Sequence, residues 1–409
     1  MNSFIRKDTV KTMDRIILKP RREESILRYH PWVFSGAIAQ IVGHPAEGDL
    51  VSVVGADGKL LACGHYQIGS IAVRILSFDE DPTKPDFWPL MLSRALRLRE
   101  SMGLAGSSET DCYRLVHGEG DGLPGLIIDW YDGVCVMQAH SVGMFRAKGQ
   151  ICEALKAVFG ERLKAVYDKR SGTAPFKAGL DLVDGYLYRA EGFAASEATV
   201  LENGRKFLVN WEEGQKTGFF LDQRDNRALV GKYAAGRRVL NLFCYTGGFS
   251  IYALTAGAAL VDSVDSSARA MDLVARNIEL NALPGTECNN YCEDAIEFLR
   301  KTQEGKYDLM IVDPPAFAKH RGALQNALRA YQRLNAAAIA KVAPGGLVFT
   351  FSCSQVVDKI TFANTVFSAA AQTGRSVRIL DRLCQGSDHP VSIYHPEGEY
   401  LKGLLLYVE

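Results

Sequence analysis

Asn241-Leu242-Phe243-Cys244-Tyr245-Thr246-Gly247-Gly248-Phe249-Ser250 closes an apolar run, Val239 to Phe243, and opens a helical stretch, Phe249 to Ala256. Paired glycines at a strand-to-helix turn let the backbone approach a ligand closely and aim the first helical amides at it. Outward from this turn the pattern repeats. Apolar runs at Leu260 to Val264, Leu309 to Val312 and Leu347 to Ser352 alternate with helical stretches at Ala268 to Leu280, Ala295 to Lys301 and Leu324 to Val342. This alternation predicts βαβ units in a doubly wound, mostly parallel sheet buried on both faces. The last strands, Ser376 to Arg382 and Tyr400 to Val408, are joined by a polar loop and read as an antiparallel ending.

Three strand ends of this α/β block carry polar residues suited to a nucleoside. The glycine turn is not GxGxxG and no Walker lysine follows it, so a pyrophosphate ligand is poorly supported. The next strand ends Val264-Asp265-Ser266-Ser267, where the Asp265 carboxylate can accept both hydroxyls of a ribose. A third strand leads into Glu293-Asp294-Ala295, where Asp294 can accept from an adenine amino group or simply cap the following helix. Ligands of open parallel sheets bind at these carboxyl ends. S-adenosylmethionine, a nucleoside cofactor without a pyrophosphate, fits best.

The fourth strand ends Val312-Asp313-Pro314-Pro315-Ala316-Phe317, and the fifth ends Thr350-Phe351-Ser352-Cys353-Ser354. A doubled proline after an acid makes a stiff loop of fixed φ that can hold a flat base. C5 of cytosine is too weak a nucleophile to take a methyl group unaided, but thiolate addition at C6 makes it enamine-like. That chemistry needs a cysteine beside a group that bonds N3, and Cys353 with Asp313 supplies both. The plainer reading makes Cys353 a small residue ending a core strand. Cys244, inside the glycine turn, reads as structural.

The front of the chain has a different texture. Short strands at Arg15 to Lys19, Trp32 to Phe34, Leu50 to Val54, Leu60 to Tyr66 and Ile71 to Phe78, with Asp57-Gly58 as a hairpin signal, predict a small β-barrel. A proline-containing linker, Asp79 to Asp86, precedes a helix at Phe87 to Met102. Strand candidates follow at Tyr113 to His117, Leu126 to Tyr131, Val134 to Ala139, Ala165 to Asp168 and Phe207 to Asn210, with a helix at Phe145 to Phe159. They read as a compact α+β block.

At 409 residues the chain exceeds one hydrophobic core, so two or three domains are expected. No apolar run approaches the roughly 18 residues that span a bilayer. The first residues, Met1 to Asp8, lack the apolar core of a secretory signal, so a cytoplasmic protein without a membrane partner is expected. Nine cysteines without repeating spacing fit a reducing compartment. Cys288 and Cys292 have no second pair at zinc-site spacing, so no metal is expected. Lysine plus arginine balance aspartate plus glutamate at 47 each, which argues against indiscriminate coating of nucleic acid. It does not exclude recognition of a particular folded RNA, and an excess of base near the start, including Arg6, Lys7, Lys11, Arg21, Arg22 and Arg28, reads on charge alone equally as a solvated tail or as an RNA contact.

These motifs together resemble the bacterial 23S rRNA (cytosine-C5) methyltransferase I family over nearly the whole chain. The marks are Leu27-Arg28-Tyr29-His30-Pro31-Trp32-Val33-Phe34-Ser35-Gly36, His117-Gly118-Glu119-Gly120-Asp121-Gly122-Leu123-Pro124-Gly125 and Gly214-Gln215-Lys216-Thr217-Gly218-Phe219-Phe220-Leu221-Asp222-Gln223-Arg224. The glycine turn, Asp313-Pro314-Pro315 and Ser352-Cys353-Ser354 complete the set. Ala316 departs from the lysine many relatives carry there.

The resemblance implies a PUA domain at residues 1–82, a central EEHEE domain at 83–195 and a Rossmann-like, seven-stranded methyltransferase domain at 196–409. It implies Cys353 as nucleophile and one cytosine of 23S rRNA, naked or in a partly assembled large subunit, as substrate. A homodimer is compatible with it. The cofactor would then meet Lys216, Thr217, Phe219, Asp222 and Arg224 as well as Phe243, Tyr245, Thr246, Gly247, Asp265, Ser266, Asp294 and Asp313. The RNA would meet Pro314, Pro315, Phe317, Arg21, Arg22 and Trp32. A methyltransferase acting on another RNA, a small molecule or an amino group is the rival reading, and it has no need of Cys353.

Overall fold

The computed structural model describes residues 13–170, 183–281, 287–318 and 320–409; Arg6, Lys7 and Lys11 lie outside them. The chain divides into two compact units, Met1–Val200 with Val209–Phe219 and Asp388–Gly398, and Leu201–Leu208 with Phe220–Ser387 and Glu399–Glu409.

The first unit opens with a six-stranded sheet of β1 (Arg15–Leu18), β2 (Trp32–Phe34), β3 (Ile38–Val42), β4 (Leu50–Val54), β5 (Leu60–Tyr66) and β6 (Ile71–Ser77), in the order β2-β6-β5-β4-β1-β3. Its apolar side chains alternate onto one core around Ile16, Val33, Val53, Val73 and Ile75. β3 escapes sequence reading because Ala39, Gln40 and Ile41 are all exposed, leaving no alternation to see.

Helix α1 (Phe87–Ser101) leads into a five-stranded sheet of β7 (Cys112–His117), β8 (Leu126–Tyr131), β9 (Val134–Ala139), β10 (Ala165–Asp168) and β11 (Gly185–Arg189). Helix α2 (Val142–Phe159) makes the crossover that lets β10 run parallel to β9. Strands β8, β9, β10 and β11 with α2 form an EEHEE unit, which β7 extends by one antiparallel strand. Leu92, Leu96, Leu115, Ile128, Met137 and Ile151 fill the core between this sheet and its helices.

Residues Asp388–Gly398, drawn from the polar loop between the last two strands, also belong to this unit. A wholly buried guanidinium explains their place. Arg99 pairs with Asp121, donates to the Arg114 carbonyl at 2.7 Å and to the Asp388 carbonyl at 2.8 Å. The Asp388 carboxylate in turn accepts from the Arg114 amide at 2.9 Å. Such a charge holds only where acceptors surround it.

Strands β12 (Glu197–Glu202) and β13 (Arg205–Asn210) pair with each other and carry the chain across the division. The second unit is built on β14 (Arg238–Leu242), β15 (Leu260–Asp265), β16 (Glu287–Cys292), β17 (Tyr307–Val312), β18 (Val342–Ser352), β19 (Val377–Cys384) and β20 (Lys402–Val408). Their order is β16-β15-β14-β17-β18-β20-β19. β14 to β18 run parallel and β20 inserts antiparallel between β18 and β19. The fold is therefore Rossmann-like α/β, with its strand order reversing between β14 and β17. Helices α3 (Arg224–Ala234), α4 (Gly248–Thr255), α5 (Ala268–Leu280), α6 (Ala295–Lys301), α7 (Leu324–Lys341) and α8 (Lys359–Thr373) accompany the strands.

Helix α3 has no readable apolar stripe because it buries Arg224, Asn226 and Arg227 alongside Val230 and Ala234. Glu202 makes that burial possible. Its carboxylate takes Arg227 at 2.8 and 2.7 Å and the Tyr252 hydroxyl at 3.1 Å. Glu202→Ala would strand the Arg227 charge in the interior. The expected cost is about 3–5 kcal/mol of the second unit's stability, read as a lower urea midpoint. A loss under ~1 kcal/mol would show that Arg227 does not depend on this carboxylate.

Candidate functional site

Each strand from β14 to β18 ends on the same side of the sheet, and most of the predicted residues gather there. The turn after β14 is strained: Phe243, Tyr245 and Gly247 have φ of 58°, 48° and 79°. A left-handed conformation costs an ordinary residue about 1–2 kcal/mol. Hydrogen bonds hold it in place. The Cys244 amide donates to the Val264 carbonyl at 3.1 Å, the Tyr245 amide to Asp265 at 3.0 Å, and the Asn277 side chain to the Thr246 carbonyl at 2.8 Å. A Cβ on Gly247 would sit 3.2 Å from the Val274 methyls, so sterics and φ both require glycine there. The turn delivers the chain directly into α4 at Gly248.

Asp265 is oriented from two sides, since its other oxygen accepts the Ser267 amide at 3.0 Å. A carboxylate can accept about four hydrogen bonds, and these two amides take two. Ser266 is exposed and its carbonyl accepts the Cys292 thiol at 3.7 Å. Asp294 caps α6, one oxygen taking the amides of Ile296 and Glu297 at 3.0 Å each.

Asp313 and Cys353 end neighbouring parallel strands, β17 and β18. Asp313 accepts from the Gln223 amide at 3.0 Å; Gln223 is itself held by Asn226 at 2.6 Å. Pro314 is buried and Pro315 exposed. The Phe317 ring packs on Tyr331 at 4.7 Å. Tyr331 is wholly buried, and its hydroxyl approaches Ser352 and the Phe317 backbone without completing a hydrogen bond. Burial first, then the nearby Cys353 and Asp313, push its phenol pKa up, so both groups lie within electrostatic reach of one hydroxyl.

The Cys353 thiol is half-buried and in no disulfide. Beyond it, the Ser354 hydroxyl donates to the Ala318 carbonyl at 2.6 Å, and the buried Lys402 ammonium donates to the carbonyls of Ser354 and Val357, each at 2.6 Å. Cys244 is different. Burial, aided by the Asp265 charge, pushes its thiol pKa well up, so it stays a neutral thiol.

Other predicted residues stand elsewhere. Lys216 is exposed with φ 50°, and Thr217 and Phe219 are buried; all three belong to the first unit. The Thr217 hydroxyl donates to Asp129 at 2.6 Å and lies 3.1 Å from the Tyr131 hydroxyl. In the second unit, Asp222 accepts the Tyr400 hydroxyl at 2.6 Å, and Arg224 is buried with its Nε 3.6 Å from Glu202. Arg21 and Arg22 are exposed at the front of the first unit. Trp32 donates its indole N–H to Glu119 at 2.9 Å, and its ring lies beneath Arg74 and meets His395 edge-on.

Sequence reading missed Gln223, Tyr331 and Lys402. Lys402 carried a signal, a lysine inside the apolar run Leu401 to Val408. Gln223 and Tyr331 carried none, because each matters only through a contact with a distant strand. Among the described residues, no cluster of three or more His, Cys, Asp or Glu could hold a metal ion, and no helix is long and apolar enough to cross a membrane.

Comparison with known proteins agrees with this fold. A family model for S-adenosylmethionine-dependent methyltransferases matches residues 113–394, and one for PUA-like domains matches residues 16–78. Ribosomal RNA large subunit methyltransferase I of Shewanella amazonensis is 41% identical over 402 residues, covering 96% of this chain and 99% of its own. Its counterpart in Aeromonas hydrophila is 40% identical, covering 96% and 98%. Among solved structures, SMU.776, assigned as a methyltransferase and complexed with SAH, superposes with a TM-score of 0.82 at 22% identity, covering 96% of this chain and 100% of that one. At that identity the likeness speaks for the fold.

Proposed function

The chain belongs to the ribosomal RNA large subunit methyltransferase I family of S-adenosylmethionine-dependent enzymes, and from that membership we propose that it methylates C5 of one cytosine in 23S rRNA, with Cys353 as nucleophile. The observation that carries the reading is the meeting of a half-buried thiol, Cys353, with the Asp313-Pro314-Pro315 loop on adjacent strand ends. An amino-group methyltransferase has no use for a thiol there.

The residues at the ends of β14, β15 and β16 suit the cofactor. Asp265, already oriented by two amides, would accept the ribose hydroxyls, and Asp294 Oδ2, the oxygen that does not cap α6, would accept the adenine amino group. The strained turn from Phe243 to Gly247 would lie against the cofactor, with Ser266 beside the ribose. Lys216, Thr217, Phe219, Asp222 and Arg224 would contribute from the Gly214 to Arg224 run, the last of them through its hold on Glu202. When bound, S-adenosylmethionine supplies the methyl group that C5 accepts.

The protein's own part is to make C5 able to accept it. Cys353 as thiolate adds to C6, and electron density moves to C5. Asp313, steadied by Gln223, would share a proton with N3 as the thiolate adds and so keep the ring in register. Pro314, Pro315 and Phe317 form the stiff shelf for the base, with Phe317 backed by Tyr331. Once C5 is methylated, a base takes its proton, the electron pair of that bond re-forms the C5–C6 double bond, and Cys353 leaves C6 as thiolate, which restores the aromatic ring. Residues 1–82, with Arg21, Arg22 and Trp32, would hold the RNA in the cytoplasm, on naked rRNA or a partly assembled subunit; residues 83–195 connect them to the catalytic 196–409.

Two measurements test this. Asp265→Ala removes a charge-assisted double acceptor, and calorimetry should show S-adenosylmethionine binding weakened about 10- to 150-fold, or ~1.5–3 kcal/mol. Unchanged affinity would move the ribose elsewhere. Wild-type protein with an RNA carrying 5-fluorocytidine at the target should form a covalent adduct that survives a denaturing gel, since fluorine cannot leave as a proton does. Cys353→Ala should form none and methylate nothing, while still binding the cofactor. Methyl transfer by Cys353→Ala, or loss of the adduct in Cys244→Ala instead, would sink the assignment.

A further inference from the structure

Lys402 is the only charged residue of β20, which otherwise reads Gly-Leu-Leu-Leu-Tyr-Val. Its strand lies inside the sheet, between β18 and β19, and the side chain is only 6% exposed. An ammonium is costly to bury without acceptors. Here the acceptors come from one loop. Lys402 stands in register with Ser352, the residue before Cys353, and donates to the carbonyls of Ser354 and Val357 just beyond it. The thiol is thus carried by a short bend whose two sides are tied to the same lysine.

Those carbonyls are neutral and do not balance the charge. The acids within electrostatic reach of it are otherwise engaged: Asp358 caps α8 through Thr361 at 2.8 Å, and Glu399 pairs with Lys359. Both are exposed, whereas Cys353 is half-buried. The neighbouring group whose anion this ammonium can best stabilise is therefore the Cys353 thiol. Tyr331 lies within electrostatic reach of both Cys353 and Asp313, and its phenol stays neutral; a cation tied to the bend that carries Cys353 therefore favours the thiolate.

We propose that Lys402 is the positioning residue that readies Cys353, fixing the bend that carries the thiol and favouring its thiolate by charge. The proposal rests on Cys353 being the nucleophile, but its test reads the thiol itself and needs no turnover. The sign of the effect is definite. A cation beside a thiol lowers the thiol pKa, and a thiolate raises that of the lysine. Burial, the larger influence on Lys402, pushes its ammonium down to about 8, with Cys353, Asp358 and Glu399 opposing. Lys402 is thus charged near neutrality and its help fades as the pH rises past 8.

The experiment is the rate of iodoacetamide alkylation of Cys353 from about pH 5 to 10, resolved by peptide mass spectrometry, in the full-length protein. Wild type should titrate below the ordinary cysteine value of about 8.5. Lys402→Met keeps the stem and removes the charge, and should move the inflection up by about one unit or more, or roughly tenfold less thiolate at a pH below both values. Lys402→Arg should stay within about half a unit of wild type, with S-adenosylmethionine affinity of both variants unchanged. A folded Lys402→Met with an unmoved inflection overturns the proposal, and an Arg variant that shifts as far as Met overturns its electrostatic half. Should Lys402→Met fail to fold, wild type decides alone: an inflection at or above ~8.5 is incompatible with an activating cation. The 5-fluorocytidine adduct reports separately on whether Cys353 is the nucleophile.

Discussion

Parallel strands must all finish on the same edge of their sheet, and connections between them must cross back over a face. In the second unit five strands obey that constraint in the order β16-β15-β14-β17-β18. Asp294, Asp265, the glycine turn, Asp313 and Cys353 are spread over more than a hundred residues of sequence, yet they follow successive strands and so share one edge. The strand order reverses between β14 and β17, and in open α/β sheets such a reversal parts the helices and opens a crevice at that edge. It places the nucleoside-type residues on one side of the switch point and the aspartate, prolines and thiol on the other. A cofactor and a base approached from these two sides would meet over the middle of the sheet.

That edge carries strain and charge, and each instance has a local answer. The two non-glycine residues in left-handed conformation after β14 are over-determined by bonds from Val264, Asp265 and Asn277. Asp265 does double duty, since the Tyr245 amide that helps orient it also stiffens the turn. Deeper in, Glu202 satisfies Arg227 and so lets α3 pack a polar face into the interior, which brings Gln223, one residue before the helix, to Asp313. A buried ion pair seldom adds net stability over an apolar pair. Its value here is placement: an apolar substitute for Glu202 and Arg227 could fill the space without fixing where Gln223 stands.

What was legible in the sequence follows from how local each signal is. Strands β4, β5, β8, β9 and β10 and helices α5 and α6 were readable to within a residue, because apolar periodicity and turn residues lie within a few positions of one another. The strand-end acids and the thiol were readable because topology alone sends them to one edge. β3 and α3 were not, the first because its residues are exposed on both faces, the second because its buried face is polar and has no hydrophobic period. Nor could the sequence place Asp388–Gly398 in the first unit. That depends on one buried arginine, Arg99, finding a carbonyl 289 positions away. Trp32 shows the same limit from the other side: an exposed-looking aromatic in a basic segment turns out to have its N–H held by Glu119 and its ring covered.

Two cysteines, Cys244 and Cys353, each follow the end of a strand, and composition cannot separate them. Their surroundings can. Cys244 is enclosed, the Asp265 carboxylate lies within electrostatic reach of it, and both facts disfavour a thiolate. Cys353 is half open and shares its bend with a buried ammonium. A thiol becomes a nucleophile only as far as its anion is stabilised and reachable. The same cofactor fold could be run with either cysteine idle. An activated one requires a cation that the sheet itself holds out of water, and β20, by inserting antiparallel between β18 and β19, is the strand that brings a lysine to that place from the far end of the chain.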